Sequence, residues 1–211
     1  MNVALSTLSI VIAYLLGSIP FAYIIGKWRH VDIRRVGDKN VGTFNVFRHG
    51  GMTAGILTLV ADVGKGALAI VVAKLLQVNE LVIFGAGVAA VIGHNWPVFL
   101  RFRGGRGLAV IIGALLALLP LEMIIAAAIS LLVLYFTRNT IWFGVAMFIP
   151  LVVLCILFRE RLSLIVYSVA LPCLAGLAHL LTTRNLTPGE QKEAVTFWVG
   201  GKQSQGKKRT T

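Results

Sequence analysis

The sequence is poor in charge, above all in acidic residues. Only 13% of its 211 residues are charged, whereas a typical soluble domain has about 25%. The eight Asp and Glu are outnumbered by 20 Lys and Arg, and hydrophobic residues make up 57% of the chain. A soluble core could not bury that much apolar surface. The composition therefore excludes an ordinary soluble domain and favours a protein that uses the bilayer as its solvent.

Cysteine and histidine are also scarce. Cys155 and Cys173 both fall in apolar segments, where a thiol behaves as a small hydrophobic group. The four histidines are scattered, without the spacing of metal ligands. We therefore predict neither a disulfide nor a metal site.

Apolar runs recur along the chain and predict an all-α, polytopic transmembrane helix bundle of about seven spans. A membrane helix needs about 20 residues, and three of the runs are shorter. The short runs are either tilted helices or, for residues 108–136, one broken helix. The predicted spans are residues 3–26, 52–76, 81–93, 108–120, 121–136, 141–158 and 162–181.

Basic residues are concentrated in alternate loops, and the N-terminus has none before Lys27. Cytoplasmic loops carry an excess of Lys and Arg, so this pattern predicts an outside N-terminus and a cytoplasmic C-terminus. Arg159 and Arg161 are the exceptions, since they fall in an outer loop. The same rule explains the net charge of +12, and we predict no nucleic-acid partner.

We predict one membrane domain over residues 1–199. The basic tail, residues 200–211, is low in hydrophobic residues, which is typical of disorder, and it can contact anionic lipid headgroups. The apolar N-terminus lacks a basic n-region and a small-residue cleavage site, so it is predicted to be a span and not a signal peptide.

Two polar loops on the predicted cytoplasmic side carry the functional signal. The first loop, residues 32–51, reads D-I-R-R-V-G-D-K-N-V-G-T-F-N-V-F-R-H-G-G, and the second loop, residues 93–107, reads G-H-N-W-P-V-F-L-R-F-R-G-G-R-G. Fixed positive charge beside glycines that expose backbone N–H groups is the chemistry that binds phosphate. The alternative is a pair of cytoplasmic basic loops with flexible glycines.

The candidate phosphate ligands are Arg48, Arg103 and Arg106, because a guanidinium grips phosphate oxygens in pairs. The glycines of the second loop precede an apolar helix, so free N–H groups and the helix dipole would add to the arginines. In the first loop, Asn amides can orient a hydroxyl or a phosphate, although Asn and Gly are equally typical of turns.

Four polar residues lie in or beside apolar segments. Asp62 and Lys65 are three residues apart and share one helix face. Charges inside a span usually face a partner or a cavity, and a purely structural ion pair is the alternative. His94 and His179 lie near the predicted cytoplasmic side, where each can carry a proton, orient a substrate or cap a helix.

Four motifs follow one another in a family-specific order. Residues 17–20 read G-S-I-P, and residues 62–66 read D-V-G-K-G, which matches D-x-x-K-G. The first loop matches D-I-R-x-x-G-S-x-N-x-G-x-T-N-x-x-R, and the second matches G-H-x-x-P-x-F-x-x-F-K-G-G-K-G. Because it has these four motifs in this order, the chain resembles the bacterial acyl-phosphate:glycerol-3-phosphate acyltransferases, a family of integral membrane enzymes.

The resemblance implies an enzyme of phospholipid biosynthesis in the inner (plasma) membrane, with its active site on the cytoplasmic side. Acyl phosphate would donate its acyl group to the sn-1 hydroxyl of glycerol 3-phosphate, giving lysophosphatidate and inorganic phosphate. The donor is already activated, so no cofactor is implied. Arg48, Arg103, Arg106, His179 and Asp38 would be catalytic. The substrate-binding residues would be Asn40, Gly42, Asn45, Lys65, His94, Gly104, Gly105 and Gly107.

The chain departs from the family pattern at several positions. Asp38 stands where the family has Ser, and Phe44 where it has Thr. Both lysines of the glycine loop are arginines, Val110 replaces a Thr, and the final His-x-x-Asn element keeps only its histidine. A carboxylate at position 38 would repel phosphorylated substrates unless Arg34, Arg35 or Arg48 neutralises it.

Two other functions are compatible with these residues. One is a non-catalytic, divergent paralogue that binds an anion or a lipid headgroup. The other is a transporter of a small phosphorylated solute, which the same arginines could serve.

Overall fold

The computed structural model describes residues 2–197, which contain ten α-helices, two short 3₁₀ turns and no strand. Met1 and residues 198–199 of the predicted membrane domain, and the predicted tail at 200–211, lie outside the described residues. The helices are α1 Val3–Ser18, α2 Phe21–Trp28, α3 Thr43–Gly50, α4 Met52–Leu75, α5 Glu80–Asn95, α6 Leu108–Leu118, α7 Pro120–Thr137, α8 Thr140–Leu157, α9 Leu162–Thr183 and α10 Pro188–Val195.

The described residues contain six helical segments that are long and apolar enough to cross a membrane, and α6 is a shorter apolar helix. Together they give seven apolar helices, which confirms the predicted polytopic bundle. The six long segments are Val3–Trp28, Met52–Leu75, Glu80–Leu100, Pro120–Thr137, Thr140–Leu157 and Leu162–Thr183.

Prolines set two of the helix boundaries. Pro20 separates α1 from α2 within the first span, and Pro120 is the first residue of α7. The residue before a proline is pushed out of the helical region, and Leu119 accordingly has φ −132° and ψ 64°. Helix α6 packs on α4, whereas α7 packs on α8. Residues 108–136 are therefore two helices with different partners and not one broken helix.

Small residues bring α4 and α6 into close contact. A Cβ added at Gly66 would collide with the carbonyl group of Val110, and one added at Gly113 would collide with that of Val63. Gly17 of α1 makes the same kind of contact with the backbone of Ala90 in α5. Lipid supplies no hydrophobic force between helices, so close backbone packing of this kind is what holds a membrane bundle together.

Helix α6 is too short to cross the bilayer alone. Its 11 residues span about 16 Å at 1.5 Å per residue, against a hydrocarbon core of about 30 Å. Because Val110 packs on Gly66, near the middle of α4, the second loop must enter the bundle before α6 begins. Irregular backbone is tolerated at such depth only where it is buried in protein or lines a cavity.

Both arginine-glycine loops lie on one side of the bundle, as the sequence predicted. We call this side the loop face; it comprises residues 29–51, 96–107, 138–139 and 184–197. Arg106 Nε donates to Thr182 Oγ1 at 3.1 Å, and Arg48 Nε donates to the Thr196 carbonyl at 2.9 Å. At the opposite end of the bundle, Arg161 pairs with Glu80 at 3.2 Å.

Adding one methyl group at Gly66 tests the contact between α4 and α6. We expect Gly66→Ala to lower the stability of the detergent-solubilised protein by about 1–3 kcal/mol, since overpacking forces the two backbones apart. Gly64→Ala in the same helix is the control, because an added Cβ there meets no atom within 4 Å. Thermal unfolding measures both, and equal midpoints for the two variants would contradict this packing.

Candidate active site

The first loop is shaped by Asp32. Its carboxylate accepts hydrogen bonds from Arg34 Nε at 3.0 Å and Arg34 Nη2 at 2.9 Å, and it lies 3.8 Å from Arg35 Nε. The Arg34 hydrogen bond holds the pKa of Asp32 well below its usual range, and Asp32 in turn raises the pKa of Arg34. Arg34 and Arg35 are therefore partners of Asp32, not of Asp38.

Asn45 holds the rest of this loop in place. Its amide nitrogen donates to the carbonyls of Ile33, Val36 and Asn40 at 3.0–3.2 Å. Its Oδ1 is buried without a hydrogen-bond partner among the described residues. The Asn45 side chain thus fixes the loop conformation, as expected for turn chemistry, and the oxygen alone is left for another ligand. Gly42 immediately precedes α3.

Asp38 joins the two loops. Its Oδ2 lies 2.9 Å from Arg106 Nη1 of the second loop, and its Oδ1 lies 3.9 Å from Arg48 Nη1 of α3. The side chains of Asp38 and Arg48 are 2% and 0% exposed, and that of Arg106 is 12% exposed. We call these three residues the arginine cluster. The expected partners of Asp38 were Arg34, Arg35 or Arg48; of these only Arg48 lies beside it, and the nearer cation is Arg106.

Arg48 is held by a hydrogen bond at Nε, whereas its Nη1 contributes only the longer ion-pair contact with Asp38. Nε donates to the Thr196 carbonyl, whereas Nη1 and Nη2 are buried with no hydrogen-bond partner in residues 2–197. Burial lowers the pKa of Arg48 and the charge of Asp38 opposes that shift. A guanidinium titrates so far above neutrality that the group remains a cation. A buried cation with unused donors has the chemistry to bind an anion.

His179 of α9 is half-buried beside the cluster and interacts electrostatically with both Arg106 and Asp38. Thr182, one turn further along α9, accepts the Arg106 Nε hydrogen bond. Neither Thr182 nor the Thr196 carbonyl was predicted from the sequence. Thr182 occupies the last position of the His-x-x-Asn element, whereas no side-chain pattern gives a signal for a backbone carbonyl.

A second charged group lies deeper in the bundle. Lys65 Nζ is 2.9 Å from Asp62 Oδ1 and donates to the Ile19 carbonyl at 2.9 Å. His94 Nδ1 is 3.8 Å from the same Asp62 oxygen. The prediction that Asp62 and Lys65 share one helix face is confirmed, and the two side chains form the ion pair that was the alternative interpretation. Together with Gly104, these side chains border a cavity of about 10 Å³. A cavity of this size has room for about one water molecule.

The prediction of free N–H groups at Gly104 and Gly105 is wrong. Gly104 N–H donates to the Asn95 carbonyl and Gly105 N–H to the His94 carbonyl, both at 3.1 Å. The second loop folds back on the end of α5, whose last carbonyls have no partner within the helix. Gly107 precedes α6 and has φ +82°. The N–H groups of the first turn of α6 have no partner within the helix, so they remain available to a ligand.

Arg103 is not brought to the arginine cluster. Its side chain is exposed, and within the described part of the chain it makes no hydrogen bond or ion pair. Asn40 is half-buried, and its N–H donates to Asp38 Oδ1 at 3.4 Å. Residues 2–197 contain no group of three His, Cys, Asp or Glu side chains that could hold a metal ion.

The apolar helices define a polytopic membrane protein. At one face of the bundle, the buried Arg48 and the partly buried Arg106 lie beside the carboxylate of Asp38. The sequence profile described as "Glycerol-3-phosphate acyltransferase" matches residues 7–189. The chain therefore belongs to the glycerol-3-phosphate acyltransferase family.

Two curated relatives are similar over nearly their whole length. "Glycerol-3-phosphate acyltransferase 4" of Dehalococcoides mccartyi is 40% identical over 178 residues, which are 84% of this chain and 96% of the relative. "Glycerol-3-phosphate acyltransferase" of a Thermoanaerobacter species is 36% identical over 189 residues, which are 89% of this chain and 95% of the relative.

Two crystal structures share the fold. Both are of PlsY (YgiH), an integral membrane glycerol 3-phosphate acyltransferase. Its glycerol 3-phosphate form has a TM-score of 0.75 at 29% identity and covers 89% of this chain and 97% of that one. Its lysophosphatidic acid form has a TM-score of 0.73 at 28% identity with the same coverage.

Replacing Asp38 tests the electrostatics of the cluster. Asp38→Ser removes the carboxylate that neutralises Arg48 and Arg106, so we expect stability to fall by roughly 3 kcal/mol. Inorganic phosphate should bind more tightly, by about 1–2 kcal/mol, because one repulsive charge is gone. Glu80→Gln is the control, since it breaks an exposed ion pair on the opposite side and should change neither quantity appreciably.

Thermal unfolding and calorimetric titration with phosphate measure the two effects. Weaker phosphate binding by Asp38→Ser than by the unaltered protein would contradict an anion site at the arginine cluster.

Proposed function

We propose that this protein transfers an acyl group from an acyl phosphate to the sn-1 hydroxyl of glycerol 3-phosphate, giving lysophosphatidate and inorganic phosphate. The observation that carries the proposal is the arginine cluster. It combines two guanidiniums from the two loops, one of them fully buried with unused donors. Family membership supports the reaction type, and the two forms of PlsY bear the names of an acceptor and of a product.

The reaction needs stabilisation of developing charge and positioning of the substrates more than covalent catalysis by a protein nucleophile. The sn-1 oxygen attacks the acyl carbon, the bond from that carbon to the phosphate oxygen breaks, and the hydroxyl proton leaves with the inorganic phosphate. Arg48 and Arg106 would stabilise the phosphate charge that develops as this bond breaks. Holding both substrates against fixed donors removes much of the entropic cost of bringing them together.

Asp38 would set the charge of this site. Its carboxylate is already committed to Arg48 and Arg106, so we assign it the role of orienting the two guanidiniums and compensating their buried charge. His179, which lies beside the cluster, would contact substrate there. Arg103, whose side chain is exposed, would act only on approaching anions through its charge.

The second charged group, which consists of Asp62, Lys65 and His94, would position the acceptor, glycerol 3-phosphate. Lys65 and His94 border the same stretch of the second loop that carries Arg106, through their contacts around Gly104 and Gly105. We propose that the ammonium and the imidazole orient hydroxyl or phosphate oxygens of glycerol 3-phosphate. The Asp62 carboxylate would keep Lys65 in place.

We further propose that the loop face is cytoplasmic and that the enzyme resides in the inner membrane. Most of the basic loop residues lie on this face, as the positive-inside rule requires for a cytoplasmic surface. The acyl chain would then lie between helices in the inner leaflet.

The direct test is acyl transfer by the purified protein, followed with labelled glycerol 3-phosphate and an acyl phosphate. We expect lysophosphatidate that depends on the acyl phosphate. Arg106→Ala should lower the rate by about 10²–10³, the usual effect of losing one fixed stabilising group. Lys207→Ala is the control, because it removes a charge of the same sign from the tail and not from the loops.

Each alternative function has its own outcome in this assay. Binding of glycerol 3-phosphate without product would favour a non-catalytic paralogue. Uptake of glycerol 3-phosphate into sealed vesicles without an acyl donor would favour a transporter. A near-normal rate for Arg106→Ala would remove the second loop from the mechanism.

Membrane topology is tested by labelling single cysteines in intact cells with an impermeant thiol reagent. Cysteines introduced at Lys39 and Arg103 should be protected, because both positions are exposed on the proposed cytoplasmic face. A cysteine introduced at Asn79, at the other end of the bundle, should react. Labelling at Arg103 from outside would overturn the proposed orientation.

A further inference from the structure

The C-terminal segment crosses back over the loop face after α9. Helix α10 begins with a capping box between Thr187 and Glu190 and ends at Val195. Two further described residues, Thr196 and Phe197, follow it. We call residues 188–197 the strap. Nearly all of the strap lies beyond residue 189, where the match to the family profile ends.

One side of the strap is fastened to the first loop and α3. Lys39 Nζ lies 2.7 Å from Glu190 Oε1, and His49 Nε2 lies 3.2 Å from Glu193 Oε1. These two contacts flank the Arg48 Nε hydrogen bond to the strap. The strap therefore covers the part of α3 that contributes to the arginine cluster.

The end of the strap is fastened to the start of α8. Thr140 Oγ1 donates to the Ala194 and Val195 carbonyls at 3.3 and 3.2 Å. Phe197 N–H donates to the Arg138 carbonyl at 2.6 Å. These contacts involve backbone groups at fixed positions, so residues 194–197 cannot be treated as a solvated tail.

The Phe197 ring completes an aromatic group under the strap. It packs edge to face on Phe44 and Phe47, with ring centroids 5.5 and 5.7 Å apart, and Phe44 packs in the same way on Phe143. Aromatic pairs of this geometry stabilise beyond the area that they bury. Phe44 is one of the positions at which this chain departs from the family pattern, and its ring contacts the strap.

The strap has a consequence for Arg48. A guanidinium held at Nε presents its two Nη groups in one fixed direction, because the group is planar. Those Nη groups are the unused donors of the arginine cluster. The strap also excludes water from the side chain, and a lower local dielectric strengthens the attraction between Arg48 and an anion.

We propose that the strap is a working part of the phosphate site, in which the Thr196 carbonyl positions Arg48 and the Phe197 ring holds that carbonyl in place. This inference rests on the proposed function of Arg48 as a phosphate ligand. Thr196 and Phe197 are positioning residues, since they act on the phosphate only through Arg48.

Two truncated proteins isolate the strap. One ends at Phe197 and keeps it, the other ends at Thr187 and lacks it, and both lack residues 198–211, so the basic tail cannot account for a difference. Each is made with Arg48 and with Arg48→Met, which is similar in length but has no Nε–H. Acyl transfer is measured as kcat and KM for glycerol 3-phosphate.

With Arg48 present, we expect removal of the strap to lower kcat/KM by about 10- to 100-fold, the effect of losing a hydrogen bond to a charged group. With Arg48→Met, removal of the strap should change kcat/KM by less than about threefold, because coupled residues are not additive. An equal loss in both backgrounds, or no loss with Arg48, would overturn the proposal.

A substitution in the full-length chain covers the case in which the shorter truncation does not fold. Phe197→Ala removes the ring contacts and should lower kcat/KM, whereas Phe197→Leu, which refills part of the space, should restore much of it. Full activity of Phe197→Ala would overturn the proposal as well.

Failure of the proposed function would be recognised separately. If the full-length protein transfers no acyl group, the proposed reaction fails, and the same four truncated proteins are titrated with inorganic phosphate. The strap should then tighten phosphate binding with Arg48 and not with Arg48→Met. Identical phosphate affinities with and without the strap would reject the role of the strap itself.

Discussion

The buried carboxylate of Asp38 is the interaction on which the loop face depends. Arg48 is fully buried and Arg106 nearly so, and two like charges in that position would repel each other and carry a large desolvation cost. Asp38 compensates both, and in doing so it ties the first loop to the second. One carboxylate beside two guanidiniums leaves a net positive charge, and the Nη groups of Arg48 have no hydrogen-bond partner in the described residues. For these two reasons we propose the cluster as a phosphate site.

The second loop enters between the helices before α6 begins, and this position determines what surrounds the arginine cluster. Because α6 begins near the middle of α4, the glycines before it must pass between helices, and Gly104 and Gly105 do so against the carbonyls of Asn95 and His94. Their role is steric, since a Cβ at either position would collide with the end of α5. The arginine cluster and the ion pair of Lys65 are thereby placed on two sides of one short backbone segment.

The sequence predicted the parts whose signal is local. Apolar runs predicted the helices, and the spacing of Asp62 and Lys65 predicted a shared face. The pairing of Asp38 with Arg106 joins loops that are distant in the chain, so no periodicity could reveal it. Hydrogen bonding by Gly104 and Gly105 depends on how the loop folds back. The contact between the strap and Arg48 uses a backbone carbonyl, which every residue carries and which therefore leaves no trace in the sequence.

The central claim is that a substrate phosphate binds at the arginine cluster, and a crystal structure of the protein with glycerol 3-phosphate tests it most directly. We expect phosphate oxygens within hydrogen-bond distance of Arg48 Nη1 or Nη2 and of Arg106, with Asp38 still alongside the two guanidiniums. A phosphate bound elsewhere, with the Arg48 Nη groups still unpartnered and the cluster unchanged, would contradict it.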